Sequence, residues 1–230
     1  MSRLAAVIIG LALAVGVAVQ GPTVPGTAGR YRLLGSDPRV SQIAVIGDSY
    51  TTGTNEGGLG PNSWTERAWQ LLLQRGMRID ADVAAEAGAG YGMPGDHGGI
   101  FADLTAQAAR SDDVLVLFFG SRNDEGVDPG TLSDRVGIAF GLARDLAPSA
   151  RFLVIGPPWP TADVPADVLQ IRDLLRLRAG VVGATFVDPI ELGWFADRPD
   201  LIGADGVHPN DAGHAYMADK IAGLIEDQLS

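Results

Sequence analysis

Five short apolar runs, each closed by a turn and alternating with stretches of helical periodicity, constrain this chain more than any other feature of it. The runs fall at residues 42–46, 79–85, 113–119, 152–155 and 185–187, and the helical patterns at 61–75, 100–109, 131–146, 168–179 and 212–229. In the first helical stretch Trp64, Ala68, Leu71 and Leu72 recur at helical spacing and Gly76 is a stop, while Pro148 stands beyond the third. Pro209 is placed to open the last helix. The second run is the weakest strand, because Ala and Asp lower its β-propensity. Strands alternating with helices imply a parallel sheet covered on both faces. Crossovers in such sheets are right-handed, so the turns after the first three strands (47–49, the glycine-rich 88–99 and 121–124) emerge on one edge. In open α/β sheets that edge is where ligands bind.

The chain has 230 residues, 46% of them hydrophobic, which suffices for one core in one domain. Seventeen basic residues against 28 acidic ones give a formal charge of −11, dispersed along the chain. Such a surface repels phosphate backbones and anionic lipid, so no nucleic-acid partner is expected. The absence of cysteine removes disulfides, thiolate catalysis and thiol-bound zinc. At the N-terminus, Arg3 precedes an uninterrupted apolar run over 4–19 and a polar stretch rich in Gly and Pro over 20–30, with Gly26-Thr27-Ala28 as a cleavage site. This is the three-part order of a secretory signal. The expected organisation is a signal peptide or uncleaved N-terminal anchor at 1–28, a linker at 29–40 and one folded domain at 41–230. Such a protein is secreted, or associated with the cell envelope through its apolar segment.

The first turn places Ser49 just past the carboxyl end of a buried strand. A serine hydroxyl is a weak nucleophile until a base takes its proton. His208 is the candidate base, and Asp205, three residues earlier, can hold the imidazole tautomer and stabilise its cation. Attack on a carbonyl creates an oxyanion that needs donors. Three are available: the Ser49 backbone N–H, an N–H from the loop at Gly88 or Gly90, and the Asn123 amide. Glycine in that loop lets the backbone approach closely.

Taken in order, these residues resemble the marks of the SGNH (GDSL) hydrolase family: Gly47-Asp48-Ser49, Gly88, Asn123-Asp124 and Asp205-Gly206-Val207-His208. The resemblance implies a flavodoxin-like three-layer α/β/α sandwich around a five-stranded parallel sheet, with 41–230 as the hydrolase domain. It implies a serine ester hydrolase, of carboxylesterase or lipase type, without metal or organic cofactor. Ser49, His208 and Asp205 would form the catalytic triad, with an acyl-enzyme on Ser49, and Ser49, Gly88 and Asn123 the oxyanion hole. The substrate would be a small-molecule, glycan or lipid ester. An O-acyltransferase or a carbohydrate acetyl esterase would use the same site, and a catalytically silent carbohydrate- or lipid-binding module would share the fold. Two departures stand out. The third block reads Gly120-Ser121-Arg122-Asn123-Asp124 where the family usually has Gly-x-Asn-Asp, so Ser121 replaces the glycine or one residue is inserted. No asparagine precedes Gly88 within 83–87.

Competing residues are few. His97 has Pro94 where the acid would stand, whereas His214 has Asp211 at the right spacing but falls inside the last helix. Asp205, His208, Asp211 and His214 together offer metal-ligand types without announcing a preorganised three-ligand geometry. The stretch 90–95 matches Gly-x-Gly-x-x-Gly, but it follows the second strand and contains Pro94. Trp159, Trp194 and Phe195 stand in loops near strand ends, as pocket lining or as anchors.

Overall fold

The computed structural model describes residues 40–230. The signal or anchor at 1–28 and the linker up to residue 39 lie outside the described residues. Five strands, β1 (Val40–Gly47), β2 (Arg78–Ala85), β3 (Leu115–Phe119), β4 (Arg151–Ile155) and β5 (Thr185–Val187), pair in parallel in the order β2-β1-β3-β4-β5. This is the flavodoxin-like order. A one-turn helix α1 (Ser49–Thr52) follows β1, and α2 (Trp64–Gln74), α3 (Phe101–Ala108), α4 (Pro129–Leu146), α5 (Ala166–Val181) and α6 (Asp211–Leu229) cover the sheet.

The central strands read as continuous apolar runs because both of their faces are buried. Ile43, Val45, Leu117 and Phe119 pack with Trp64 and Leu72 of α2 and with Met217, Ile221 and Ile225 of α6. Alternate residues Ala44, Ile46, Val116 and Phe118 meet Phe101 and Leu104 of α3, Phe140 of α4 and Leu175 of α5. The result is the three-layer α/β/α sandwich. β2 is an edge strand with Asp80 and Asp82 exposed, and charges on an edge discourage further pairing. That explains why its sequence is the least strand-like of the five.

Several element boundaries differ from the sequence reading. The segment 61–75 is not one helix. Gly60–Asn62 is a 3-10 turn, and Ser63 then caps α2 by accepting the Glu66 N–H at 3.2 Å. Asp113 is not in β3: its carboxylate accepts the Arg110 N–H at 2.7 Å in the preceding turn. Pro209 does not open the last helix. It bridges to Ile202, and Asn210 caps α6 by accepting the N–H groups of Ala212 and Gly213. Among the described residues no helix is long and apolar enough to cross a membrane.

The register positions the site. Gly47 lies level with Ala85 on β2 and with Phe119 on β3, so the chain leaves all three strands at one height. The strand order reverses between β1 and β3, and the crevice at such a switch point is where α/β sheets hold their ligands.

Candidate active site

Asp48 caps α1, its Oδ1 accepting the Tyr50 N–H at 2.9 Å. Ser49 therefore sits at the first helical position, where its N–H has no intrahelical acceptor. The turn is tight, since a Cβ on Gly47 would come within 2.2 Å of Thr51 Oγ1.

From the far end of the chain, His208 directs Nε2 to Ser49 Oγ at 3.1 Å, and its Nδ1 meets Asp205 Oδ2 at 2.6 Å. Asp205 Oδ1 accepts the N–H groups of Val207 at 2.8 Å and His208 at 2.9 Å, which folds the acid back under its own turn. Desolvation alone would raise the Asp205 carboxyl. The bonds from the His208 ring and from the two backbone N–H groups outweigh it and hold the group at about 2. Asp205 thus stays ionised over the range in which esters are commonly assayed.

Asn123 is brought to the same turn. Its Nδ2 donates to Ala89 O at 2.9 Å and lies 3.5 Å from Asp48 Oδ2. Ser121, which follows Gly120 in the same block, is fully buried, donating its hydroxyl to Ala89 O and accepting the Asn123 N–H. Gly88 has φ +78°, and a Cβ there would meet nothing closer than 3.7 Å. Its glycine is required by the left-handed backbone rather than by close approach. The close approach belongs to Gly90, whose Cβ would fall 2.4 Å from Asp124 Oδ1 and whose N–H is committed to Met93 O at 2.7 Å. Among the described residues no acceptor takes the Gly88 N–H, so of the two glycines Gly88 has its donor free.

Two carboxylates hold this loop, and only one of them, Asp124, belongs to a motif block. Asp124 accepts the N–H groups of Tyr91, Gly92 and Met93 at 2.9, 2.8 and 3.0 Å. Glu86, at the end of the second strand, accepts the N–H of His97 and, at 3.1 Å, that of Gly99. For Glu86 the only sequence signal was an acid at a strand end before a run of glycines, whose backbone donors must find acceptors somewhere.

The competing residues have other employment. His214 is 1% exposed and accepts the Trp64 N–H at 3.3 Å between α2 and α6. Burial holds it down at about 4, partly offset by Asp211. Asp211 accepts from the Gly58 N–H and the Asn62 amide. Among the described residues no group of three or more His, Asp or Glu side chains is arranged to hold a metal ion. Trp194 and Phe195 are buried anchors against Phe119 and Tyr50 rather than pocket lining. Trp159 lies under the Arg122 guanidinium, 4.3 Å from its ring centre, and borders a cavity of about 230 Å³ with Pro189, Ile190 and Ala196.

Asp48 yields a prediction. Burial pushes its carboxyl up to about 7, the Tyr50 N–H opposing and the Asp124 charge adding to the rise. The folded state therefore holds this proton more tightly than the unfolded chain, whose carboxyl titrates near the ordinary aspartate value of 3.8. Asp48 consequently drains stability as pH rises from about 4 to 7, by about 3–4 kcal/mol over that interval. Asp48→Asn removes the drain. The stability of the variant minus that of the wild type, from urea unfolding, should climb by this amount between pH 4 and 7; a difference independent of pH would refute the assignment.

A flavodoxin-like sheet with serine, histidine and aspartate linked in that order at its switch point defines a class of protein, the α/β/α ester hydrolases. The chain belongs to the GDSL-like lipase/acylhydrolase family, whose model matches residues 45–216, and it is a hydrolase acting on esters. It is 61% identical to the GDSL lipase Rv0518 of Mycobacterium tuberculosis over 232 residues, covering 100% of this chain and 99% of that protein. Among solved structures it resembles the psychrotrophic esterase EstA from Pseudoalteromonas sp., inhibited by monoethylphosphonate (TM-score 0.66, 17% identity, 82% of this chain and 98% of that one). It also resembles a family two carbohydrate esterase from Clostridium thermocellum in complex with cellohexaose (TM-score 0.64, 17% identity, 82% of this chain and 64% of that one).

Proposed function

We propose that the protein is an exported serine esterase that works through an acyl-enzyme on Ser49. The observation that carries this is the continuous series from Ser49 Oγ to His208 Nε2 at 3.1 Å and from His208 Nδ1 to Asp205 Oδ2 at 2.6 Å. In the proposed cycle His208 takes the Ser49 proton as the hydroxyl attacks the ester carbonyl. Asp205 holds the imidazole and stabilises its cation, and His208 then protonates the departing alcohol. The Ser49 N–H, the Gly88 N–H and the Asn123 amide stabilise the oxyanion. Water, activated by the same histidine, releases the acid.

Asn123→Ala should then lower kcat by about a hundred- to a thousand-fold with KM little changed, the usual loss for one oxyanion donor. Steady-state kinetics on one soluble ester measure this, and an unchanged kcat would remove Asn123 from the reading.

For the substrate, the fold neighbour bound to cellohexaose favours a small-molecule or glycan ester. The apolar run at 4–19 supports export or attachment to the envelope. A panel of nitrophenyl esters of increasing acyl length, with acetylated oligosaccharides alongside, tests the reading on wild type and Ser49→Ala. Turnover by the wild type and none by the variant is expected; turnover that survives in Ser49→Ala would overturn it.

A further inference from the structure

The fourth position of the motif that gives the GDSL family its name is Tyr50 here rather than leucine. Its hydroxyl donates to the Val207 carbonyl at 2.6 Å, across 157 residues of sequence. Tyr50 is 1% exposed, and its ring is fixed edge-on against Phe119 and Phe195, both at 6.2 Å. The His208 ring lies on another side at 6.1 Å. The Tyr50 N–H is held by Asp48, so the phenol and the Ser49 hydroxyl belong to one rigid turn.

The loop that carries His208 is held mostly by itself. Asp205 accepts two N–H groups within it, Gly203 N–H donates to His208 O at 2.7 Å, and Gly206 N–H donates to Gly203 O at 3.1 Å. A bridge between Ile202 and Pro209 closes its neck. Apart from the Ser49–His208 contact itself, two polar tethers among the described residues bind 203–208 to the body of the domain. Glu56 accepts the Ala204 N–H at 2.6 Å on the exposed side, and Tyr50 reaches Val207 from the buried side. The buried tether attaches to the residue immediately before the base.

We infer that Tyr50 is a positioning residue for His208: its phenol, rigidly coupled to Ser49, sets the height at which the imidazole meets the nucleophile. The inference rests on the Ser49–His208 reading above. A leucine at this position has no donor to offer, so the arrangement is a property of this chain's own motif. Misplacing a reacting group by about 1 Å costs on the order of a hundred-fold in rate.

Tyr50→Phe removes one oxygen and keeps the ring packing. Its kcat for a small soluble ester is expected to fall about 10- to 100-fold with KM within about twofold of wild type. Backbone amide exchange at Gly206, Val207 and His208 is expected to accelerate in the same variant while exchange in β1 and β3 stays as in wild type. A kcat within twofold of wild type, a loss confined to KM, or unchanged exchange in the 206–208 loop would each overturn the assignment. The exchange measurement needs no activity, so it reads the tether even in a Ser49→Ala background. A failure of the triad reading and a failure of this inference are thereby told apart.

Discussion

Ser49→Ala is expected to lower kcat for a simple ester by about four to six orders of magnitude, with the thermal midpoint nearly unmoved. The size follows from the chemistry: without the hydroxyl there is no acyl-enzyme, and only the donors and the binding surface remain to help water. The small stability change follows from the structure. Ser49 Oγ has the His208 ring as its side-chain partner, at 3.1 Å, so removing it orphans no buried backbone group. His208→Ala should lose about as much. The double variant should lose no more than either single one, because nucleophile and base act as a unit. Initial rates of the four proteins on one ester settle the matter, and losses that multiply would contradict a shared step.

The second large effect falls on stability. Asp124 is 1% exposed and accepts three consecutive backbone N–H groups from Tyr91, Gly92 and Met93. Asp124→Ala strands all three donors and empties the space that Gly90 vacates for the carboxylate, where a Cβ would lie 2.4 Å from Oδ1. The expected cost is about 3–5 kcal/mol, which lowers the midpoint by about 10 °C in a domain of this size. Activity should fall as well, because Asn123 is the neighbouring residue and its amide bonds to Ala89 O in the same loop. Asp124→Asn should lie between the two. Its amide oxygen can still accept from Gly92 and Met93, while its N–H₂ would face the Tyr91 N–H. Thermal unfolding of both variants checks the order Asp, Asn, Ala, and an Ala variant within 1 kcal/mol of wild type would contradict the account.

The central strands were legible because burial on both faces leaves them few residue types. Ile43 to Ile46 and Leu115 to Phe119 are fully buried and read as apolar runs with turns behind them. The parallel order then brings Ser49 and Asn123 to one edge without further information. The contact between Ser49 and His208 is different: it depends on the path of the long segment 188–209, and it was anticipated from the Asp-x-x-His spacing and the motif resemblance rather than from the strand order. Local choices between competing caps were misread, as where Ser63 and Asn210 rather than the nearby prolines set the helix starts. Least legible were carboxylates and hydroxyls that serve distant backbone. Glu86 and Tyr50 each satisfy groups whose position is set by loop geometry, and no local periodicity reports that, whereas Asp124 stood beside Asn123 in a motif block. Gly88 makes the same point in reverse: the residue type was read, but its reason is a left-handed φ, and the close contact belongs to Gly90.

The central claim is that Ser49 is a nucleophile made reactive by His208. Incubation with a fluorophosphonate, followed by peptide mass analysis, tests it most directly. The account predicts one covalent adduct on Ser49, formed rapidly in the wild type and slowed by orders of magnitude in His208→Ala. An adduct on another residue, or equal labelling with and without the histidine, would contradict it.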